Sequence, residues 1–228
     1  MRSVLTGILL VCGLAMIRCS EPTKSENTPP APPAMKVIAA PASANAPAEI
    51  RQKANEINNY FAFISATLDD VAGVTPSVNG NIYTWEVTMD SGTMLMKVKA
   101  VRRSDQSVDW TVIIDGQADD STLYVNRTLF IGKAGAGNRS QSWTFYDVFS
   151  GGITHKISWE IDKNNTLTVR LALEAIKALW EIINRVDFSG SYRFEQDAIE
   201  RYTAQWSSNG AGGFMDHAST PPQSGSWE

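Results

Sequence analysis

The chain reads as a mainly β protein: one antiparallel meander of about ten strands forming a curved sheet or barrel, with an N-terminal amphipathic helix packed on it. Three observations predict this. From Ile82 onward apolar and polar residues alternate with a period of two, which puts one apolar face on each strand. Clusters of Gly, Asn, Asp and Ser interrupt the alternation at short intervals, where the chain must turn. One stretch before the strands, Ala48 to Val71, has a helical period instead.

The helix comes first. Ile50, Ile57, Phe61, Ile64, Leu68 and Val71 recur at spacings of seven, four, three, four and three, so they form one stripe. Pro47 suits a first-turn position, and Gly73 with Pro76 ends the element. A broad aromatic stripe of this kind packs onto a sheet.

The strands follow in order. Tyr83, Trp85, Val87 and Met89 alternate with Thr84, Glu86 and Thr88, and Asp90-Ser91-Gly92 turns the chain into Met94, Met96, Val98 and Ala100. Val108, Trp110, Val112 and Ile114 close on Asp115-Gly116. Leu123, Val125 and Leu129, then Trp143 and Phe145, then Ile157, Trp159 and Ile161 continue the pattern. Asn164-Asn165 leads into Leu167, Val169, Leu171 and Leu173. Phe188, Tyr192 and Phe194 read as one strand, and Tyr202, Ala204 and Trp206 as another. The segment 174–186 satisfies both helical spacing and strand parity. No run is apolar on both faces, which disfavours a parallel α/β sheet. A weak repeat links Asp187-Phe-Ser-Gly-Ser-Tyr192, Trp206-Ser-Ser-Asn-Gly-Ala-Gly-Gly-Phe214 and Gln223-Ser-Gly-Ser-Trp227 as successive hairpins.

The N-terminal part has a different composition. Met1-Arg2-Ser3 and the apolar stretch Val4 to Ile17 have the form of a signal peptide, too short for a membrane span. Ala15-Met16-Ile17-Arg18-Cys19-Ser20 follows, and a cysteine at the end of such a stretch resembles the bacterial lipoprotein signal. That resemblance implies cleavage before Cys19 and acylation of its thiol. Arg18 stands where that signal carries a small residue. A plain secretory signal and an uncleaved anchor are the alternatives. Seven of the ten prolines lie between Ser20 and Pro47, a composition expected to stay extended or disordered as a tether. The domain division is therefore 1–18 signal peptide, 19–47 lipid-anchored linker and 48–228 one folded domain. Both cysteines, Cys12 and Cys19, fall outside that domain, so it holds no disulfide.

The formal net charge is −4, and −6 once Arg2 and Arg18 are discounted with the leader. With no basic run, neither nucleic acid nor an anionic lipid surface is a natural electrostatic partner. Two histidines and no domain cysteine leave too few ligands for the usual zinc sites, and no other metal or cofactor is expected. Asp69-Asp70 and Asp119-Asp120 are acid pairs that cap or solvate. Asp115-Gly-Gln-Ala-Asp-Asp120 lacks the ligand order of a calcium hand and reads as a hairpin tip. Gly132-Lys-Ala-Gly-Ala-Gly-Asn138 lacks the ending of a phosphate loop and lies between strands. His155 and His217 have no recognisable nucleophile beside them, so no catalytic residue is assigned. Sequons at Asn126, Asn138 and Asn164 matter only in a eukaryotic secretory pathway.

The expectation is an exported cell-envelope lipoprotein, anchored through Cys19 and secreted if that thiol is not acylated. Its domain is then structural or meets another envelope protein. The second reading is a carrier: seven tryptophans with Met89, Met94 and Met96 could line an apolar cavity for a ligand such as a lipid. Curved sheets with a helix across the opening resemble the architecture of periplasmic carriers of lipids and lipoproteins. The third is a hydrolase with an unidentified site.

Overall fold

Why one helix can serve so many strands is the first question the architecture answers. The computed structural model describes residues 28–89, 93–118 and 120–228. The signal-like segment, Cys19 and the Asp90-Ser91-Gly92 turn lie outside the described residues. Helix α1 spans Ala48–Asp69, and Pro47 is its N-cap. Ile50, Ile57, Phe61, Ile64 and Leu68, the predicted stripe, are buried, as is Val71 just beyond it. Burying a side chain of this kind contributes roughly 1.5–3 kcal/mol, which holds the helix in place without a side-chain cap.

After α1 the described residues form thirteen strands in one antiparallel sheet, hydrogen-bonded in chain order. They are β1 (Ser77–Asn79), β2 (Ile82–Met89), β3 (Met94–Arg102), β4 (Val108–Gln117), β5 (Leu123–Ala134) and β6 (Ser140–Tyr146). Then come β7 (Ile153–Ile161), β8 (Leu167–Leu173), β9 (Ala178–Asn184) and β10 (Gly190–Gln196). Last are β11 (Ile199–Trp206), β12 (Gly212–Asp216) and β13 (Gln223–Trp227). The sheet is open, since β1 and β13 do not pair; of the two expected forms, curved sheet and barrel, it takes the first. Its edges are short, and Pro221-Pro222 precede β13, features that discourage edge-to-edge association.

Laid flat, thirteen strands would be roughly 58 Å wide, whereas a helix with its side chains is about 10–12 Å across. Yet a single core joins α1 to residues from β2 through to β13. The sheet therefore curls around the helix. All seven tryptophans are buried in that core. One row of facing residues runs Tyr83, Ala100, Trp110, Gly132, Trp143, Ile157, Leu171, Trp180, Phe194. Small residues alternate with indoles in it. A Cβ at Gly132 would sit 2.0 Å from the Trp143 ring, and one at Gly190 2.3 Å from the Trp206 ring. Those glycines are vacancies that aromatic neighbours fill.

Three sequence expectations change here. The strand count rises from about ten to thirteen, because β1, β12 and β13 are short or glycine- and serine-rich and show little alternation. The ambiguous 174–186 resolves into a 3-10 turn, Glu174–Ile176, followed by strand β9. Phe188, read as a strand residue, sits in the turn between β9 and β10.

Residues 28–47 also differ from the expected free tether. They form a strap lying across one end of the curled sheet, in the same order as the strands. Arg102 of β3 donates to the Thr28 carbonyl, and Asn138 and Gln141 beside β6 donate to that of Ala34. Lys36 stands over the Trp159 ring of β7. Asn58 of α1 grips both backbone groups of Ile38, and Asn184 of β9 those of Ala39. Ser43 donates to the Glu228 carbonyl after β13. Proline-rich chain has few internal hydrogen bonds to lose, so side-chain amides can hold it, and buried Pro30, Ile38, Pro41 and Ala46 supply apolar contact.

Candidate functional site

The residues singled out by chemistry in the sequence prove to be builders of turns and packing. Asp115 Oδ1 accepts from the Asn126 amide, and Asp120 Oδ1 from that of Thr122; Asp119 lies outside the described residues. Asp69 accepts from the Ser65 hydroxyl, and Asp70 is the C-cap of α1. In the Gly132–Asn138 loop, Gly132 receives Trp143 and Asn138 binds the strap. His217 lies 3.2 Å from Glu200 at the surface. Of the methionines, Met96 is in the core and Met89 packs against it, while Met94 is half-buried. Among the described residues no three His, Cys, Asp or Glu gather as a metal site.

His155 is a titratable group drawn partly inward. Its ring stacks on Phe145 at 4.2 Å and lies 4.3 Å from the Tyr60 ring. Nδ1 is 3.0 Å from the Thr154 hydroxyl, and Nε2 is buried without a partner. Burial pushes its pKa below the ordinary histidine value, with Glu56 opposing. Tyr60, pushed up by burial and Glu56, has no base in hydrogen-bond contact. The Tyr192 hydroxyl donates to Glu49 at 2.9 Å and is likewise held protonated by burial, fastening the first turn of α1 to β10. None of these groups stands beside an activated nucleophile.

The space under α1 is packed with aromatic side chains. Two surface hollows, about 210 and 330 Å³, include no residue of α1. The first has Lys133, Ser142, Ser158 and Arg170, and the second Asn126, Arg127, Thr128 and Tyr146.

Attention therefore moves to the two ends of the sheet. Five hairpins share one five-residue turn: 103–107, 118–122, 162–166, 185–189 and 207–211. In each, the first N–H donates to the fifth carbonyl and the fourth N–H to the first carbonyl. An Asp or Asn at the third place in four of them accepts from the fifth N–H, as Asp105, Asp120, Asp187 and Asn209 do. The fourth residue has positive φ: Gln106, Ser121, Asn165, Phe188 and Gly210. Such a position favours Gly or Asn, and a bulky residue there is an outlier. Phe188 is that outlier, 75% exposed beside Val186 at 68%.

The strap end carries four of these tips. Its charged turn residues are Arg103, Arg139, Lys163 and Arg185 against Asp105, Asp162 and Asp187; the strap adds Lys36, and Glu228 lies against the strap. The far end is acidic, with Asp120, Asp147, Glu174, Asp197 and, at the end of α1, Asp69 and Asp70 against Lys177. It is also apolar: Leu123 is 67% exposed, Val125 59% and Phe149 65%, with the Phe149 ring 6.0 Å from that of Tyr124. Ile153, Ile176 and Ile199, elsewhere along the same end, are also exposed.

No protein-family model matches this chain, and no curated protein matches it either. Among the described residues no helix is long and apolar enough to cross a membrane. The candidate site therefore stands on its own geometry. Sequence reading placed Leu123 and Val125 on the apolar face of a strand. They lie instead where β5 runs beyond β6, which pairs only with Phe130–Ala134. That overhang lies beyond β-bulges near Asn126 and Leu129, which alternation alone does not announce.

Proposed function

We propose that this chain is an envelope lipoprotein, held to a membrane through Cys19, whose β-domain is a non-catalytic protein-interaction module. The observation that carries the reading is the acidic, apolar far end. Leu123, Val125 and Phe149 form an exposed patch there, while the tryptophans that could have lined a ligand cavity are consumed by the core. Exposed apolar groups rimmed by charge are what a protein partner covers. Asp69 and Asp70 strengthen the argument, because acids at a helix C-terminus oppose its dipole and cost stability where they stand. The partner's matching face would be apolar with a basic rim.

A photo-crosslinking residue in place of Phe149 in cells should give one discrete protein adduct, and one in place of Ser142 on the sheet's outer face should give none. Equal adducts from both, or none from Phe149, would remove the reading. The anchor is tested separately. Cys19→Ala should move the protein from the membrane to the soluble fraction and abolish fatty-acid labelling. Arg18→Gly should speed processing.

A further inference from the structure

The strap end has its own anomaly. Of the four shared turns there, three carry polar or small residues at their second and fourth places: Ser104 with Gln106, Lys163 with Asn165, Ser208 with Gly210. The fourth carries Val186 and Phe188. Nothing in the turn's hydrogen bonding asks for them. Phe188 occupies a positive-φ place that glycine fills at no steric cost, and its side chain reaches into solvent instead of the core. The tip is nonetheless firmly set. The Trp206 indole donates to the Phe188 carbonyl at 3.2 Å, and Asp187 accepts from both the N–H and the hydroxyl of Ser189. Val37, 81% exposed, stands on the strap two residues from Ala39, which Asn184 grips at the base of the same tip.

The chain also leaves the structure from this end. Thr28 is docked beside Arg102, and nine residues separate it from Cys19, so the anchor lies within about 30 Å of this end. A free linker through Pro47 would have allowed roughly 100 Å. Arg185 and Asp187 frame the apolar tip and Lys163 with Asp162 sits on the neighbouring turn, so the tip is close to neutral, whereas the far end is acidic and an anionic surface would repel it.

We infer that Val186, Phe188 and Val37 form a wedge that this domain inserts into a lipid surface. The wedge fixes the strap end against the membrane and turns the far end outward. This rests on the reading of Cys19 as the anchor. An exposed aromatic with two valines is a composition that seats at the headgroup level.

The test uses the full processed chain purified from membranes and reconstituted into phosphatidylglycerol–phosphatidylethanolamine vesicles. An environment-sensitive fluorophore is placed at Phe188→Cys in one sample and Phe149→Cys in another. The expected result is a blue shift and quenching by lipid-borne quenchers at position 188 alone. Failure of the wild-type chain to float with the vesicles would overturn the anchor and the wedge together. Flotation with an unquenched probe at 188, or with quenching at 149, would overturn the wedge and leave the anchor standing. A probe at 188 that shifts only when a second, unlabelled copy of the chain is added would assign the tip to self-association and also overturn it. As a second variant, Phe188→Gly keeps the backbone the turn prefers; it should float as the wild type does while a probe at Val186→Cys loses its quenching.

Discussion

Two ends of one sheet differ in the turns that close them: four of the five shared turns lie at the strap end and one, 118–122, at the far end. At the strap end, Asn and Asp side chains hold both the hairpin tips and twenty residues of irregular chain, and one tip presents Val186 and Phe188. At the far end Leu123, Val125 and Phe149 face solvent among carboxylates. Turn chemistry sets the third, fourth and fifth places, so the second place and departures at the fourth carry information about partners. A residue that the backbone disfavours and the core does not use is the most informative kind.

The comparison assumes a rigid interior between the ends, and the largest effect tests that. Phe61 is buried mid-stripe on α1. Phe61→Ala should lower the unfolding free energy by about 3–5 kcal/mol in a denaturant titration; a loss below about 1.5 kcal/mol would mean a loosely seated helix. Gly132→Ala should cost about 1–3 kcal/mol, because its methyl would meet the Trp143 ring.

Loss of the strap's grip is a smaller change with a sharper signature. Asn58→Ala with Asn184→Ala removes the amides holding Ile38 and Ala39. Each should cost about 1 kcal/mol. Limited proteolysis should then cut within 28–47, where the native chain resists. Equal cleavage of native and variant protein would show that the strap is not held. Phe188→Gly should raise stability by up to about 1–2 kcal/mol, since it relieves a left-handed backbone at an exposed site. A loss of stability would remove the argument that this residue is kept for contact.

The smallest effect is pH dependence. Burial lowers the His155 pKa, so between the folded and ordinary values the unfolded chain binds more protons. Its contribution is therefore complete above about pH 6.5 and is lost as pH falls through the folded value. His155→Phe should flatten that part of the profile. Asp105, Asp120, Asp147, Asp187 and Asp216 are held below the usual carboxylate range by turn hydrogen bonds, chiefly to Ser or Thr side chains and backbone amides. Their contribution is complete above about pH 4 and declines as pH falls through the lowered values. That second decline should survive in the variant, and NMR titration of the His155 ring separates the two.

Much of this was legible in the residues. The α1 stripe and the inward face of most strands follow from periodicity, because burial on one side requires it. Phe188 was misread for an identifiable reason: it keeps parity with Trp180, Ile182 and Val186, and parity cannot see a five-residue turn between two strands. The pattern Asp/Asn–any residue–Ser/Thr/Ala, present at 105–107, 120–122, 164–166, 187–189 and 209–211, would have marked it. The strap was hidden because proline-rich composition reports only weak self-association and says nothing of asparagines waiting elsewhere in the fold. The far-end patch was hidden by bulges in β5, which change the facing of residues without changing their alternation.

The central claim is that the interior is full and the domain works through its ends. An apolar environment-sensitive dye added to the native protein, with the denaturation midpoint measured alongside, tests this most directly. The account predicts no dye uptake before unfolding and no shift in the midpoint. Stoichiometric uptake by the native state with a raised midpoint would contradict it, and would put a ligand cavity where seven tryptophans are packed.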